Sequence, residues 1–247
     1  DAQAREAFNA GAAALFVPES ELENALTVLA NHGQSQRSRE SEHPMALRHP
    51  ASPHLPMPAW APTEVSGSAM SALDRWFVEL VQANPQLRIR IGNPDELASN
   101  KMGTTLALLK HRVNVPEPGV PESTDGSVVT ALNEEAVAAA ALANKGGLNL
   151  IVSYEAFAVK MLGLMRQEII FARRQKELGQ PPGWISVPLI VTSHTWENSK
   201  NEQSHQDPTI GEALLGEMSD TARVLFPVDA NTASAALRAV YASRGQV

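Results

Sequence analysis

Apolar positions along the chain fall into two regimes. Through residues 1 to about 66 they recur at helical spacing only in AREAFNAGAAALF and ESELENALTVLANHG, the second with Ser20 as a candidate N-cap and Gly33 as its stop. The stretch that follows, QSQRSRESEHPMALRHPASPHLPMPAWAP, holds Pro44, Pro50, Pro53, Pro56, Pro58 and Pro62 of the chain's 17 prolines. Proline locks φ and removes a backbone donor, so this stretch predicts an extended connector lying over another surface.

From Ser68 onward the pattern alternates. AMSALDRWFVELVQAN puts Met70, Leu73, Phe77 and Leu80 on one helical stripe. Short β-branched runs follow: LRIRIG (87–92), SVVTAL (127–132), NLIVSY (149–154), PLIVTSH (188–194) and ARVLFPV (222–228). Helical segments lie at 134–144, 155–178, 209–218 and 231–243. This predicts an α/β protein with an open, doubly wound, mainly parallel sheet flanked by helices. Residues 1–67 form a helical and Pro-rich linker, and 68–247 form the α/β domain. Ligands in such sheets bind beyond the carboxyl ends of the strands, which directs attention to 93–100, 133–135, 154–157 and 194–205.

Composition narrows the function classes. With 247 residues and 43% hydrophobic content, the chain can bury a sizeable core. Its longest apolar run, Ala136 to Ala143, is far shorter than the roughly 18 residues a membrane span needs. Asp1 opens a polar, alanine-rich helix and no signal peptide is expected. A formal charge of -7 argues against nucleic acid as a partner. No cysteine is present, which excludes disulfides, thiolate metal sites and cysteine nucleophiles and favours a reducing, cytoplasmic location. His43, His49 and His54 fall in the Pro-rich stretch, where ligands would lack fixed geometry, so no metal site is expected there.

Four segments could carry chemistry. In GNPDELASN (92–100), Pro94, Asp95 and Glu96 suit a helix start, while Ser99 and Asn100 could donate to a phosphate. In LNEEAV, Glu134 and Glu135 either offset a helix dipole or present a carboxylate to a flat ligand beside an alanine-dense helix. In SYEAF, Tyr154 and Phe157 share a helix face, as core or as a stacking surface for a planar heterocycle. TSHTWENSKNEQSHQDP (192–208) is a long polar loop carrying His194, Trp196, Asn198, Asn201 and His205. Its two histidines lack a zinc spacing and the chain has no G-x-S-x-G elbow; the residue types suit a polyhydroxylated or phosphorylated substrate.

The stretches RIGNPDELASN, TALNEEAV, VSYEAFAVKMLG, TSHTWENSKNEQSHQDPT and RVLFPVDANTA, in this order, resemble the middle, pyrimidine-binding domain of phosphoketolases, relatives of transketolase. The resemblance runs from about Ser68 to Val247, and residues 1–67 resemble the segment joining the preceding catalytic domain. It implies a thiamine diphosphate and Mg2+ enzyme that cleaves xylulose 5-phosphate, and in many members fructose 6-phosphate, with inorganic phosphate to acetyl phosphate and an aldose phosphate. Glu134 matches the glutamate that hydrogen-bonds the cofactor's pyrimidine ring, and Tyr154 and Phe157 match aromatics around it. Asn201 and His205 match residues at the sugar and the covalent intermediate. Ser99, His194 and Asn198 match substrate-binding positions.

The chain also departs from the family's pattern. Glu135 stands where many members have histidine, Asn198 where many have glutamine, and Glu202–Gln203 replaces a glycine–aromatic pair, so the sugar preference does not carry over. Thr124-Asp125-Gly126 is the only string like the family's diphosphate motif, and its Pro/Ser-rich surroundings read as a turn. The resemblance therefore implies a fragment, inactive alone, with Mg2+ and the diphosphate held by an absent domain. It further implies a homodimer or higher homo-oligomer, in which the apolar helix EAFAVKMLGLMRQEIIF could face a partner. The alternatives are a non-catalytic dimerisation module or degenerate paralogue, and a transketolase-type transferase.

Overall fold

The computed structural model describes residues 2–32, 52–60, 67–94, 97–180, 182–193, 202–218 and 220–247. The chain divides into two compact units, Asp1–Arg48 and His49–Val247. The first contains helices α1 (Ala2–Ala14) and α2 (Glu19–Ala30), neither of which buries a residue. Ser20 does not cap α2. The helix begins at Glu19, two residues earlier than such a cap implies, with Pro18 at the cap position, and Glu19 and Glu21 in its first turn favour the positive end of the dipole. Gly33 lies outside the described residues.

The second unit is the α/β body. Its elements in order are α3 (Ala69–Gln82), β1 (Ile89–Asn93), α4 (Gly103–Leu109), β2 (His111–Arg112), β3 (Glu122–Ser123), β4 (Val128–Thr130), α5 (Glu134–Leu142), β5 (Leu148–Tyr154), α6 (Glu155–Ala158), α7 (Leu162–Glu177), β6 (Leu189–Thr192), α8 (Thr209–Leu215) and α9 (Ala230–Ala242). The strands form one parallel sheet in the order β3-β2-β4-β1-β5-β6. This is the open, doubly wound α/β architecture of a thiamine diphosphate-binding fold.

Alternation along β5 explains the layering. Leu148, Leu150 and Val152 join a core with α3, α4 and α9, including Phe77, Leu106, Leu237 and Tyr241. Ile151 points the other way, into a cluster with Val137, Ala138 and Ala141 of α5 and Met165 of α7. Because Met161, Met165 and Ile169 are buried inside this body, the apolar stripe of the 155–178 helical stretch is core, contrary to the expected partner-facing surface. Ile170, Phe171 and Leu178 are its exposed large apolar residues, and Phe171 stacks on Trp184 with ring centroids 5.5 Å apart.

Two devices fix the carboxyl edge of the sheet. Helix α5 crosses β1 on its way from β4 to β5. A side chain at Gly92 would meet the Val137 carbonyl oxygen at 2.3 Å, so the absence of a Cβ is what lets helix and strand touch. Helix α4 starts after Met102, whose side chain makes no cap. Asp74 of α3 supplies one from across the core, accepting from Thr104 N at 3.1 Å and Thr105 N at 2.8 Å.

The Pro-rich stretch, where described, is extended and lies on α3. Asn84 accepts from His54 N at 2.7 Å and donates to His54 O at 2.8 Å, and Trp76 Nε1 donates to Pro56 O at 3.2 Å. The run 222–228 is not a strand. Pro227 lacks a donor, and Leu225, Phe226 and Val228 are exposed, so the apolar content of the run is not buried against the sheet. Strands β2 and β3 were not predicted, since two residues each leave no periodic pattern to read. Residues 124–125 form the turn expected of Thr124-Asp125-Gly126.

Candidate functional site

A cleft of about 260 Å³ opens at the carboxyl ends of β1 and β5. It lies where the strand order reverses around β1, with β4 reached on one side and β5 on the other. Its lining includes Asn93, Asn100, Glu134, Tyr154, Phe157 and Lys160.

Asn133 sets the position of Glu134. Its extended backbone and its side chain, accepting from Ala136 N at 2.9 Å, cap α5. Glu134 is then the first helical residue, buried and lining the cleft, whereas Glu135 is exposed. The two glutamates are thus separated by burial. Glu134 Oε1 accepts from Lys160 Nζ at 3.1 Å, and the same ammonium sits 5.3 Å from the Phe157 ring centroid. Lys160 was not singled out from sequence, although it lies three residues after Phe157 and so shares its helical face.

Tyr154 and Phe157 are only partly buried and face the cleft, so neither is an ordinary core aromatic. Their rings meet edge-on with centroids 6.3 Å apart. His205 completes the cluster, 5.0 Å from the Tyr154 ring at 88° and 5.4 Å from the Phe157 ring at 67°. Its Nδ1 is 2.7 Å from Ser204 Oγ. Ser99 reaches the cluster through its hydroxyl, 3.0 Å from Tyr154 OH. His194, Asn198 and Asn201 lie outside the described residues.

Below the rings the floor is polar. Thr192 Oγ1 donates to Asn100 Oδ1, tying β6 to the segment after β1. Asn93 Nδ2 donates to Val152 O at 2.9 Å, while its fully buried Oδ1 has no partner among the described residues. Lys101 and Ser193, just beyond Asn100 and Thr192, both hold positive φ, at 63° and 54°. For non-glycine residues this is a sparsely populated region that tends to cluster at functional sites. Asp207 lies beyond His205. Hydrogen bonds from the Thr209 hydroxyl and backbone N–H hold its carboxyl below the usual range.

A carboxylate, a polar floor and an aromatic wall suit a flat, nitrogen-containing heterocycle. Among the described residues no group of three or more histidine and carboxylate side chains could hold a metal ion. No described helix is long and apolar enough to cross a membrane.

The family profile described as D-xylulose 5-phosphate/D-fructose 6-phosphate phosphoketolase matches residues 71–243, which take in the whole sheet and the cleft. The chain belongs to the phosphoketolase family. Among curated relatives, the "Probable phosphoketolase" of Bradyrhizobium diazoefficiens is 30% identical over 178 residues, covering 69% of this chain and 22% of the relative. Proteins of the same name from Brucella abortus and Mycobacterium avium are each 28% identical, covering 69% and 71% of this chain and 22% of each relative. The chain thus spans about a fifth of the length of the phosphoketolases it matches. The profile match, residues 71–243, contains Glu134, the YEAF tetrapeptide and His205.

Proposed function

We propose that the cleft holds the pyrimidine half of thiamine diphosphate in a phosphoketolase that cleaves xylulose 5-phosphate with inorganic phosphate, giving acetyl phosphate and an aldose phosphate; fructose 6-phosphate is the second ketose in this reading. The observation that carries it is the Glu134 carboxylate, buried at a helix start in a cleft whose wall is Tyr154 and Phe157. Together with Asn93 Oδ1, which has no partner among the described residues, these residues fit an aminopyrimidine, which offers a ring nitrogen, a donor and a flat face. Thiamine diphosphate supplies, when bound, the carbon that adds to the ketose carbonyl and accepts the electrons of the cleaved carbon–carbon bond.

The chain's own residues then have distinct tasks. Glu134 holds a proton shared with the pyrimidine ring nitrogen, and Tyr154 and Phe157 exclude water from the ring. His205 and Asn201 contact the sugar at the bond that breaks. Ser99, His194 and Asn198 bind the rest of the phosphorylated ketose. Mg2+ and the diphosphate are held by another part of the enzyme, which acts in the cytoplasm as a homodimer or larger homo-oligomer, and the chain alone is inactive.

Glu134→Ala in the full-length enzyme tests this. Loss of a helix-start carboxylate costs about 1 kcal/mol of stability, so the variant should fold while acetyl phosphate formation disappears. Near-normal turnover in a folded variant would remove Glu134 from the chemistry. Consumption of inorganic phosphate separates this reading from a transketolase-type transfer, which needs a sugar acceptor instead.

A further inference from the structure

Glu155 sits between the two aromatic residues of the cleft yet lines neither the cleft nor a surface. It is buried at the start of α6, and its Oε2 accepts a hydrogen bond from Asp207 N at 2.9 Å. A buried carboxylate is costly to desolvate, so placing one at this point demands partners that repay it. One partner it takes is the backbone of the segment that bears His205, two residues before Asp207.

The tetrapeptide 154–157 therefore grips that segment at three points. Tyr154 and Phe157 contact the imidazole edge-on from two sides. Glu155, pointing away from the cleft, fixes the main chain beyond it. Asp207 passes the restraint on, because its Oδ1 accepts from Thr209 N at 2.9 Å at the start of α8. Ring contacts alone leave the imidazole free to slide along the aromatic faces, whereas an anchored backbone sets its depth.

We propose that Glu155 is a positioning residue that sets where the His205 imidazole stands against Tyr154 and Phe157, by hydrogen-bonding the Asp207 amide. Its importance for turnover rests on the reading of His205 as a sugar contact; its structural effect does not.

The experiment records histidine ring resonances of the full chain by NMR, with His205→Gln assigning the His205 signals among the seven histidines. In the wild type, the ring protons should carry ring-current shifts from Tyr154 and Phe157. Glu155→Met, which fills the space without an acceptor, should move them toward unstructured positions. Glu155→Gln, which keeps an acceptor oxygen, should restore them. In the intact phosphoketolase, Glu155→Met should lower kcat about tenfold or more and leave thiamine diphosphate affinity unchanged. An unmoved His205 signal in Glu155→Met overturns the proposal. So does fast amide exchange at Asp207 in the unmodified chain, a measurement that needs no variant to fold. A shifted His205 signal with unchanged kcat keeps the positioning role and removes His205 from the reaction, so the two readings fail separately.

Discussion

The Glu134 carboxylate and the Lys160 ammonium are 3.1 Å apart across the mouth of the cleft, one group buried and the other half in solvent. The pair engages the very carboxylate that a bound heterocycle would need. Lys160 lies on a helical stretch that also carries Phe157, so carboxylate, cation and ring form one unit.

Lys160→Met is expected to change stability little, since an ion pair with one exposed partner contributes about 0–1 kcal/mol. Its effect should fall on binding. A ligand that hydrogen-bonds Glu134 competes with the lysine, so thiamine diphosphate affinity in the intact enzyme should rise, by up to about fivefold for that energy. Calorimetric titration checks this; weaker binding would show instead that Lys160 itself contacts the ligand.

Gly92→Ala tests the contact between α5 and β1. The new methyl would meet the Val137 carbonyl carbon at 2.8 Å as well as its oxygen, and both are backbone atoms that cannot rotate away. A cost of about 1–3 kcal/mol is expected from overpacking, read by chemical denaturation. Because α5 carries Glu134 at its first turn, activity should fall even at temperatures where the variant remains folded.

Asp74→Ala removes both acceptors from the start of α4. The expected loss is about 1–2 kcal/mol, larger than for Asp74→Asn, which keeps one acceptor oxygen. Helix α4 starts three residues after Asn100, so amide exchange at residues 97–104 should accelerate in the alanine variant.

His111 provides a pH-dependent element. Burial lowers its imidazole below the usual 6.5, outweighing the opposing pull of Glu122. Its Nδ1 is 2.9 Å from Thr130 Oγ1, linking β2 to β4. The unfolded chain therefore takes up a proton at a higher pH than the folded one, so stability is lost as pH falls through 6.5 and below. Denaturation from neutrality to about pH 5 should show this slope, and His111→Asn should flatten it. The carboxyl of Asp229, held low by hydrogen bonds from Thr232, loses its contribution only in more acidic solution, below 3.8, so the two effects separate.

Several elements were legible because their patterns are local. The stripe of Met70, Leu73, Phe77 and Leu80 marked α3, and NLIVSY marked β5 within a residue of its observed start. The strand-end rule pointed to Glu134, Tyr154, Phe157 and His205, all of which the structure brings around one cleft edge. Lys160 was not found, since an exposed lysine on a helix looks ordinary in a linear chain, and Asn93, at the edge of the flagged 93–100 segment, was given no role of its own. ARVLFPV misled because a β-branched, apolar run is read from the chain alone, whereas whether the sheet buries it is not.

What the sequence determined by itself was the α/β class, the order of its main elements and the strand ends where a ligand would lie, because side-chain periodicity and turn residues act over a few positions. Only the tertiary structure decided that Glu134 is buried in the cleft while Glu135 is exposed, that Asp74 caps a helix 30 residues away, and that Glu155 holds the His205 segment. Those outcomes depend on which backbone donors come within hydrogen-bond reach after the sheet has assembled, and that distance is a property of packing rather than of spacing along the chain.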